Sequence, residues 1–572
     1  MMFARFVLLV MTACGAIAAN AQSSRPSDFA LLDHHGQYHQ LSRLVDDQAA
    51  VLLMIKSGDK ASQETAQELV RIAARFADQG LRFFLITPSP TPQPELLKQE
   101  MSEIAVDLPV LLDRSQIVST SIGFSEYAQA AVLDPESHEV LYLGPVLNES
   151  GAAALGSALE AILSGARSAS APVLNAGAEA VEYSYKKRFE AKAPSYSEDI
   201  APILLRRCAY CHVEGGLAPW AMRSHRMIQG WSPMVREVLL TKRMPPGQLD
   251  KSVGEWTHDN AITPEEVATL VYWIDSGARN EGDADPLAEA TQARAQEDAW
   301  ALGEPDLIVD IPPQQVPATG VVDFRYEYAE LGLTQDKWLS AVAYDAGEKS
   351  VLHSVMVYAL AADASTLDPT EMTSPDNAHF ISIFVPGQSE DQFSSDSGLF
   401  LPAGSKLAFK IRYVSSGREV SDSTRVGLYF RDKPFQQVEH IPLHSNQLQI
   451  AAGDANHTER VSSLPLETDV YMEAVAPQMH GRGISMRLFL GQAGQEPQEL
   501  LNVANYNFNW QLNYRLQEPL LIPRGAILEA ETVYDNSTAN VYNPDPEQTA
   551  VFGPTTWDEV LSHYVRVVKP LQ

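Results

Sequence analysis

Three residues near the middle of the 572-residue chain, Cys208, Cys211 and His212, form a C-x-x-C-H motif. On a helix these residues would lie at positions i, i+3 and i+4, so two thiols and an imidazole would share one face. This spacing is the attachment signature of c-type haem, in which both thiols bond to the porphyrin and the histidine binds the iron. We therefore predict Cys208 and Cys211 as covalent haem residues and His212 as an axial ligand.

Two other interpretations of the motif are a C-x-x-C redox pair and half of a zinc site. A four-cysteine zinc site would need a second C-x-x-C, which the sequence lacks. A second axial ligand is predicted at Met244, in a Met-Pro-Pro-Gly segment whose prolines stiffen the backbone. Met222, Met227 and Met234 compete with Met244 for that role.

A well-marked helix follows the motif region. Thr263 is predicted as its N-cap, Pro264 as its first residue and Glu266 as the partner in a capping box, and Gly277 marks its end. Apolar side chains recur at helical spacing at Val267, Leu270, Val271 and Ile274. We therefore predict that this helix packs against the helix that carries the motif.

The charge composition limits the class of partner. The chain carries 42 Lys and Arg against 73 Asp and Glu, a formal net charge of −31. A surface this acidic argues against nucleic acid and against an anionic membrane surface as partners. It favours a redox partner protein that carries positive charge, because opposite charges steer association.

The first 21 residues are typical of a secretory signal peptide. Arg5 precedes the apolar run Phe6–Met11, and Ala19-Asn20-Ala21 offers small residues for cleavage after Ala21. Cleavage before Cys14, as in a lipoprotein, is an alternative with a weaker match. No other apolar run reaches the length of a membrane span. We therefore expect a periplasmic or secreted protein with no membrane span.

Export also limits the cysteine chemistry. After cleavage, Cys208 and Cys211 would be the only cysteines of the chain, so structural disulfides with other cysteines are excluded. Assembly of haem c requires export as well. The signal peptide and the motif therefore support each other.

The segment 26–165 alternates strand and helix signals. Short apolar runs predict buried strands at Val51–Ile55, Leu81–Ile86, Asp107–Leu112 and Ala131–Leu133. A helical pattern through Leu69, Ile72 and Phe76 separates the first two runs. This β-α-β pattern predicts an α/β domain.

This domain resembles the redoxin family, whose members have a thioredoxin-like fold. The resemblance rests on Phe29–Asp33, the strand at Val51, Leu108–Asp113 and Val140–Pro145. In that family the redox cysteine follows the first central strand, so the resemblance places the reactive loop at residues 57–62.

The reactive group of that family is missing here. The loop reads Ser57-Gly58-Asp59-Lys60-Ala61-Ser62 and contains no thiol. Because a thiolate is the nucleophile in redoxin chemistry, we predict that the domain serves as a scaffold or docking surface. His34, His35 and His39 lie in polar local sequence and are predicted to be solvated rather than catalytic.

The middle of the chain divides into two linkers and a small domain. The Ala- and Ser-rich residues 166–196 and the acidic, Ala-rich residues 283–304 are predicted as linkers. Between them, 197–282 is predicted to be a small all-α domain. Besides the motif, Asp199–Leu204 and the later Met-Pro-Pro resemble the cytochrome c-like segment found fused between redoxin and copper-enzyme domains.

From residue 305 onward the pattern is one of short alternating strands with Gly, Pro, Asn and Asp at the turns. The clearest predicted strands are Val351–Tyr358, Lys406–Tyr413, Arg425–Phe430 and Ser485–Leu490. The length suits a pair of β-sandwiches, at 305–440 and 441–572.

This C-terminal half resembles the type II copper, ascorbate-dependent monooxygenases. The resemblance rests on Val351–Tyr358, Leu401–Ser405, Gln478–Gly483, Tyr534–Ser537 and Asn543–Pro546, which occur in the order expected of that family. In that family one copper site uses an adjacent His-His pair and a later His, and the other uses His-x-His and a Met.

The resemblance implies copper ligands at positions that mostly carry other residues here. The first site corresponds to His353, Ser354 and Arg412, and the second to Gln478, His480 and the neighbourhood of Val560. One imidazole remains at each site, whereas copper needs two or three imidazole or soft ligands. His353 and His480 are therefore predicted as remnant copper ligands. The residues considered as substitutes are Met479, His379 and His563.

Three functional hypotheses follow. Because only the haem motif is complete, we predict an exported monohaem c-type electron carrier whose flanking domains dock it to a redox partner, such as an intact copper oxygenase. The alternative is a copper-dependent monooxygenase that uses its own haem as electron donor. The third is a non-redox binding module in which haem is structural. The iron and copper content separates the first two.

Overall fold

The computed structural model of the protein describes residues 26–147, 153–166, 178–257, 260–294, 300–364 and 378–571. The predicted signal peptide and its cleavage site lie outside the described residues. The chain is multidomain, with a mixed α/β N-terminal region, a helical region and a C-terminal part built from many β-sheets. The α/β and β regions predicted from the sequence are confirmed.

The N-terminal region is built around a five-stranded mixed sheet. Its elements, in chain order, are β1 (Ala30–Leu32), β2 (Tyr38–Gln40), β3 (Ala49–Met54), α1 (Lys60–Arg75), β4 (Leu81–Thr87), α2 (Pro94–Glu103), β5 (Val110–Leu112), α3 (Ile117–Ile122), β6 (Gln129–Leu133), β7 (Val140–Pro145) and α4 (Ala154–Leu163). The strand order is β5-β4-β3-β6-β7. Strands β3, β4 and β5 are parallel, and β6 and β7 run antiparallel to them.

Both faces of this sheet are buried, which explains why β3 is apolar throughout. Alternate side chains of a strand point to opposite faces. Ala49, Val51 and Leu53 face a core completed by α1, α2 and α4. Leu52 and Met54 face a second core that continues into the helical region. The α/β and helical regions therefore share one hydrophobic core.

His34 is an exception to the prediction of solvated histidines in this region. Its side chain is 3% exposed, and its Nδ1 accepts a hydrogen bond from the Val110 N–H at 3.2 Å. The prediction that His34 is solvated is therefore wrong. His35 is exposed, and His39 is half-buried with its Nε2 at 2.9 Å from Asp33 Oδ2.

The helical region follows and includes parts of both predicted linkers. Its elements are α5 (Ser184–Ala191), α6 (Ala201–Arg207), α7 (His225–Leu240), β8 (Trp256–Thr257), α8 (Pro264–Asp275) and α9 (Pro286–Arg294). Helix α5 lies within 166–196, where Phe189 is buried against Tyr272 with ring centroids 5.2 Å apart. Helix α9 lies within 283–304 and buries Leu287 completely. Each of these two helices lies in a mostly polar segment, and one buried apolar side chain anchors it to the rest of the protein.

The C-x-x-C-H motif forms a turn after a helix rather than a helical face. Helix α6 ends at Arg207, where the N–H groups of Cys208 and Ala209 both donate to the Leu204 carbonyl. The N–H groups of Cys211 and His212 then donate to the Cys208 carbonyl, at 3.2 and 3.1 Å. The helical placement predicted for the motif is wrong, but its three side chains stay within one turn.

Helix α8 begins as predicted. Thr263 Oγ1 accepts from the Glu266 N–H at 3.1 Å, and Glu266 Oε2 accepts from the Thr263 N–H at 2.8 Å, which completes the capping box. Glu266 also pairs with Arg207 at the end of α6, with Nε and Oε2 3.1 Å apart. This ion pair links the start of α8 to the end of α6, while α8 packs mainly against α7.

The first half of the C-terminal part forms two facing sheets. Its strands are β9 (Leu307–Asp310), β10 (Gln314–Val316), β11 (Arg325–Glu330), β12 (Lys337–Asp345), β13 (Leu352–Leu360), β14 (His379–Phe384), β15 (Glu390–Gln392), β16 (Ser397–Leu401), β17 (Lys406–Tyr413), β18 (Val420–Asp422) and β19 (Arg425–Arg431). One sheet has the order β11-β17-β13-β14, and the other contains β16, β12, β19 and β9, with β15 beside β12. The core between the sheets includes Val342, Val357 and Phe409.

The second half repeats this two-layer arrangement. Its strands are β20 (Gln436–Ser445), β21 (Gln449–Ile450), β22 (His457–Ser462), β23 (Val470–Ala476), β24 (Gly483–Gly491), β25 (Gln498–Val503), β26 (Tyr514–Ile522), β27 (Ile527–Tyr534), β28 (Ala550–Val551) and β29 (Leu561–Pro570). A β22-β27-β24-β25 sheet faces the strands β26, β23, β29 and β20. Strand β20 pairs in parallel with β16, so one sheet continues from the first half into the second.

The helical region is joined to the second half by backbone pairing. Strand β8 adds to the edge of β26, with Thr257 opposite Arg515 and Trp256 opposite Leu516. Among the residues that the structure describes, no helix has both the length and the apolar character needed to cross a membrane.

Candidate functional sites

Both cysteines of the motif are free thiols and partly buried. Cys208 packs against the core shared by the α/β and helical regions. Cys211 Sγ donates to the Pro386 carbonyl, at 3.2 Å, in the loop between β14 and β15. Burial raises the pKa of each thiol to about 12. Neither thiol has the lowered pKa that a reactive C-x-x-C redox pair shows.

The imidazole of His212 is held in one orientation. Its Nδ1 lies 2.9 Å from the Trp220 carbonyl oxygen. Because a carbonyl can only accept, Nδ1 carries the proton and Nε2 is the nitrogen that can bind a metal. Burial lowers the pKa of His212, which favours the neutral imidazole. Two free thiols and such an imidazole within one turn are the donor set of c-type haem, so these residues fit that group.

Met244 lies in the loop after α7 and is half-buried. Its N–H donates to the Val238 carbonyl at 3.1 Å. The loop is anchored to the C-terminal part, where Tyr514 Oη donates to the Gly247 carbonyl at 3.1 Å. The axial role of Met244 stays a prediction.

The competing methionines occupy different environments. Met222 is 6% exposed, and its N–H donates to the His212 carbonyl at 2.8 Å. Met227 is half-buried near the start of α7, and Met234 is 43% exposed on the same helix. Of these methionines, the structure brings Met222 into direct backbone contact with His212.

The loop that carries the redox cysteine in redoxins serves a structural role here. Ser57 Oγ donates to Glu100 Oε2 at 2.6 Å, and the Gly58 N–H donates to Glu100 Oε1 at 2.9 Å. Asp59 caps α1 by accepting from the Ser62 N–H at 2.7 Å. These polar groups are thus used in hydrogen bonds that fix the loop.

The first remnant copper position holds a guanidinium beside its histidine. His353 on β13 is 1% exposed, and its Nε2 lies 3.5 Å from Arg412 Nη1 on β17. Arg412 also donates to the Phe508 carbonyl at 2.9 Å and to Asn509 Oδ1 at 3.0 Å. Burial and the nearby Arg412 lower the pKa of His353 well below its ordinary value. Ser354, the remaining position predicted for this copper site, lies on β13 directly opposite Arg412 on β17.

The second remnant position holds an ammonium group beside its histidine. His480 Nδ1 lies 3.1 Å from the Asp558 carbonyl oxygen and therefore carries the proton. Its Nε2 lies 3.3 Å from Lys410 Nζ and accepts a hydrogen bond from it. Burial, together with Lys410, lowers the pKa of His480 well below its ordinary value. Lys410 and Arg412 are two residues apart on β17, so both project from the same face.

The buried carboxyl group of Glu559 binds the backbone on both sides of Gly481, next to the imidazole of His480. Glu559 accepts from the backbone N–H of His480 and, at 2.9 Å, from the backbone N–H of Arg482. Burial raises the pKa of Glu559 to about 7 and lowers the pKa of Lys410 to about 7. Sequence reasoning assigned no role to either residue. The sequence did offer a signal for Lys410, because this charged residue lies between the apolar Phe409 and Ile411 on a predicted strand.

The other predicted ligand positions line one small cavity between the two halves. Ser354 contributes from the first half, and Gln478, His480 and Val560 from the second. The cavity holds about 20 Å³ and is also lined by Lys410. The structure therefore brings the positions of the second site together with Ser354 of the first.

These residues do not fit copper. The Nε2 atom of each remaining imidazole faces a cationic side chain, which repels a metal ion. His563, considered as a substitute, bonds instead to the Gln478 N–H at 3.1 Å and to Thr532 Oγ1 at 3.0 Å. His379 is exposed, and Met479 is buried against Gly483. No group of three or more His, Cys, Asp or Glu side chains within the described ranges is placed to hold a metal ion.

No protein-family profile and no curated protein matches the chain. Part of the chain is similar to a hypothetical protein from Sinorhizobium meliloti 1021, with 20% identity over 28% of this chain and 93% of that chain and a TM-score of 0.24. Peroxidoxin BcpB from Mycobacterium tuberculosis matches with 20% identity over 24% of this chain and 90% of that chain, at a TM-score of 0.20. The thioredoxin domain of a thiol-disulfide oxidoreductase from Bacteroides vulgatus matches with 16% identity over 20% of this chain and 81% of that chain, at a TM-score of 0.18. Similarity at this level does not place the chain in a family.

Proposed function

We propose that the protein is an exported monohaem c-type electron carrier. Haem c would be attached at Cys208 and Cys211, with His212 and Met244 as the axial ligands of its iron. When bound, this group supplies reversible one-electron transfer. The α/β region, proposed to be thioredoxin-like, and the copper-monooxygenase-like sandwiches would serve to dock the carrier.

The turn at Cys208–His212 carries this proposal. It presents two free thiols and an imidazole whose orientation is fixed by the Trp220 carbonyl. The other two regions lack the groups that their proposed relatives use. The loop at Ser57 has no thiol, and Lys410 and Arg412 stand beside the remaining imidazoles.

The arrangement of the α/β sheet supports a thioredoxin-like domain. Its order is β5-β4-β3-β6-β7, with helices packed on the sheet and the loop at Ser57 directly after β3. That loop is the position where the redoxin resemblance places the redox cysteine. Its occupation by Ser57, Gly58 and Asp59 supports a docking or scaffold role.

A row of aromatic side chains, Trp220 and Trp231, supports an electron route between the motif and the surface. The Trp220 ring lies 4.9 Å from the His212 ring, between centroids. Trp220 stacks on Trp231 with centroids 5.4 Å apart and planes 10° apart. Trp231 is 37% exposed and lines an open groove of about 430 Å³ on α7. The aromatic side chains thus run from the proposed axial ligand to solvent.

The partner is proposed to be a cationic redox protein, and an intact copper oxygenase fits the need for electrons delivered one at a time. The formal net charge of −31 would steer a positively charged partner toward the chain. Association should weaken as ionic strength rises, because salt screens exposed charges over about 10 Å at 0.1 M.

Metal and pigment analysis of the exported, matured protein tests the proposal. We expect about one iron and no copper per chain, and a haem that stays with the polypeptide after extraction with acidic organic solvent. The matched variant Cys208→Ala with Cys211→Ala should export but release its pigment. A wild-type chain that loses its pigment to the solvent, or never holds any, contradicts the proposal. One iron plus two coppers would instead support the copper-dependent monooxygenase.

A further inference from the structure

Two buried cations lie between the halves of the C-terminal part, and neither has a carboxylate partner among the described residues. Lys410 is 6% exposed and Arg412 is 9% exposed. Arg412 is satisfied by neutral acceptors, the Phe508 carbonyl and Asn509 Oδ1. Lys410 has His480 Nε2 at 3.3 Å and the Phe324 ring at 4.0 Å from its Nζ. Buried charges in proteins are normally paired directly, whereas Lys410 makes no direct ion pair with a carboxylate among the described residues.

The acid that acts most strongly on Lys410 makes no direct ion pair with it. Glu559 exerts the largest favourable charge effect on Lys410, but its oxygens accept from the backbone N–H groups of His480, Arg482 and Val560. No ion pair within 4 Å joins the Lys410 ammonium to any carboxylate in the part of the chain that is described. The ammonium therefore has N–H capacity left for another acceptor.

A second donor points to the same place. Gln478 is 3% exposed, lines the cavity beside Lys410, and its Nε2 has no hydrogen-bond partner among the described residues. An unsatisfied buried donor destabilises the folded chain. Ser354 and Ser562 line the same cavity. The cavity is therefore lined by an unpaired amide N–H and by a buried ammonium group.

The size of the cavity limits what it can hold. Its volume is about 20 Å³, and one water needs roughly 10–15 Å³. A carboxylic acid, a sugar or a peptide is far too large. A metal cation is disfavoured by Lys410 and by the donor groups of the wall.

We propose that this cavity is a binding site for a small monovalent inorganic anion of the halide type, held between Lys410 Nζ and Gln478 Nε2. The anion makes the direct ion pair that the buried lysine lacks, and it accepts from the unpaired Gln478 amide N–H. It occupies the position between the halves where the copper-enzyme resemblance places a metal ligand set. The site is independent of the haem, and it stabilises the contact between the halves.

The test compares the full chain in sodium bromide and in sodium gluconate at equal ionic strength. Bromide is a monatomic anion, whereas gluconate is far larger than the cavity. An anion that binds only the folded chain raises Tm, and at a hundredfold excess over Kd the shift for a chain of this size is about 2 °C. Bromide should also give an anomalous diffraction peak between Lys410 and Gln478.

The matched variants separate the site from general salt effects. Lys410→Met keeps the length of the side chain and removes the charge, so it should abolish the bromide-specific rise in Tm. Lys406→Met changes a lysine on the same strand that pairs with Glu330 at 3.2 Å, so it should keep the rise. If Lys410→Met does not fold, Gln478→Met provides the same comparison. A wild-type cavity without bromide density, or a rise that persists in Lys410→Met, overturns the proposal in favour of a cavity that holds water.

Discussion

Cys211 Sγ donates to the Pro386 carbonyl across 3.2 Å, joining two positions that are 175 residues apart in the chain. The proposed haem-attachment turn is thus packed against a loop of the C-terminal part. Gly387, the next residue of that loop, has a φ of +91°. A Cβ at this position would lie 2.5 Å from the Tyr210 ring and 3.0 Å from Cys211 Sγ. Close packing at this point therefore requires glycine.

Replacing this glycine should loosen the contact. We expect Gly387→Ala to destabilise the protein by about 1–3 kcal/mol, because it adds a clash to the strain of positive φ. Urea denaturation measures the loss. Gly417 has a φ of +84° and no atom within 4 Å of its added Cβ, so Gly417→Ala should cost only the backbone strain, about 1 kcal/mol. Equal losses in the two variants would show that the contact with Cys211 contributes nothing.

The axial role proposed for Met244 predicts a change in the properties of the proposed haem. In Met244→Ala the reduction potential should fall, because a His/Met pair raises the potential relative to His alone. The methionine-to-iron absorption band should disappear as well. A redox titration and a visible spectrum measure the two effects, and Met234→Ala, which changes an exposed methionine, is the control. Loss of the band in Met222→Ala instead would assign the ligand to Met222.

The row of aromatic side chains from Trp220 to Trp231 predicts that a change at Trp231, away from the C-x-x-C-H motif, affects electron exchange. Trp231→Ala should slow the reduction of a small cationic one-electron protein severalfold while the haem spectrum stays unchanged. Stopped-flow absorbance measures the rate. Trp557→Ala is the matched control, since Trp557 is 52% exposed but lies in the C-terminal part. A rate that Trp231→Ala leaves unchanged would remove the proposed route.

The missing copper ligands predict a gain of metal binding. The double variant Ser354→His with Arg412→His would place two further imidazoles beside His353 and remove the guanidinium. We expect it to bind about one copper per chain, since copper is held by two or three imidazoles. The control Ser354→His with Lys406→His adds the same number of imidazoles at a different position on β17. Metal analysis after dialysis should find copper in the first variant and not in the control.

The burial of His34 predicts acid sensitivity. Burial lowers the pKa of His34 to about 4 from 6.5, so the folded chain holds it neutral while the unfolded chain protonates it. Stability from this group is therefore full above pH 6.5 and is lost as the pH falls toward 4, by about 2 kcal/mol at pH 5. Urea denaturation at pH 7 and pH 5 should show a smaller loss for His34→Gln than for wild type. His379→Gln, at an exposed position on β14, should behave as wild type does.

Local patterns in the sequence predicted local structure well. The capping box at Thr263 and Glu266 depends on residues three apart, and β17 has the bounds predicted, Lys406–Tyr413, because its pattern is continuous. Contacts between distant residues were not accessible in this way. The pairing of Lys410 with His480 spans 70 positions, and the bond that buries His34 spans 76. Neither contact produces a periodic pattern in the sequence.

The candidate sites divide along the same line. The haem motif is contiguous, so its residues could be named from the sequence. The end of α6 at Arg207 could not be predicted from the sequence. It depends on the hydrogen bonds that the N–H groups of Cys208 and Ala209 donate to the Leu204 carbonyl. The resemblance to copper enzymes identified the positions of His353 and His480. Only the folded chain revealed the lysine beside His480.

Strand β8 has a consequence for any attempt to divide the chain. Its residues Trp256 and Thr257 pair with Leu516 and Arg515 and so cover part of the edge of β26. A fragment that begins after the second predicted linker would leave that edge uncovered, with unpaired backbone groups that attract other chains. Truncation at the apparent domain boundary is therefore expected to yield aggregating material, whereas a fragment that starts upstream of Trp256 should remain dispersed.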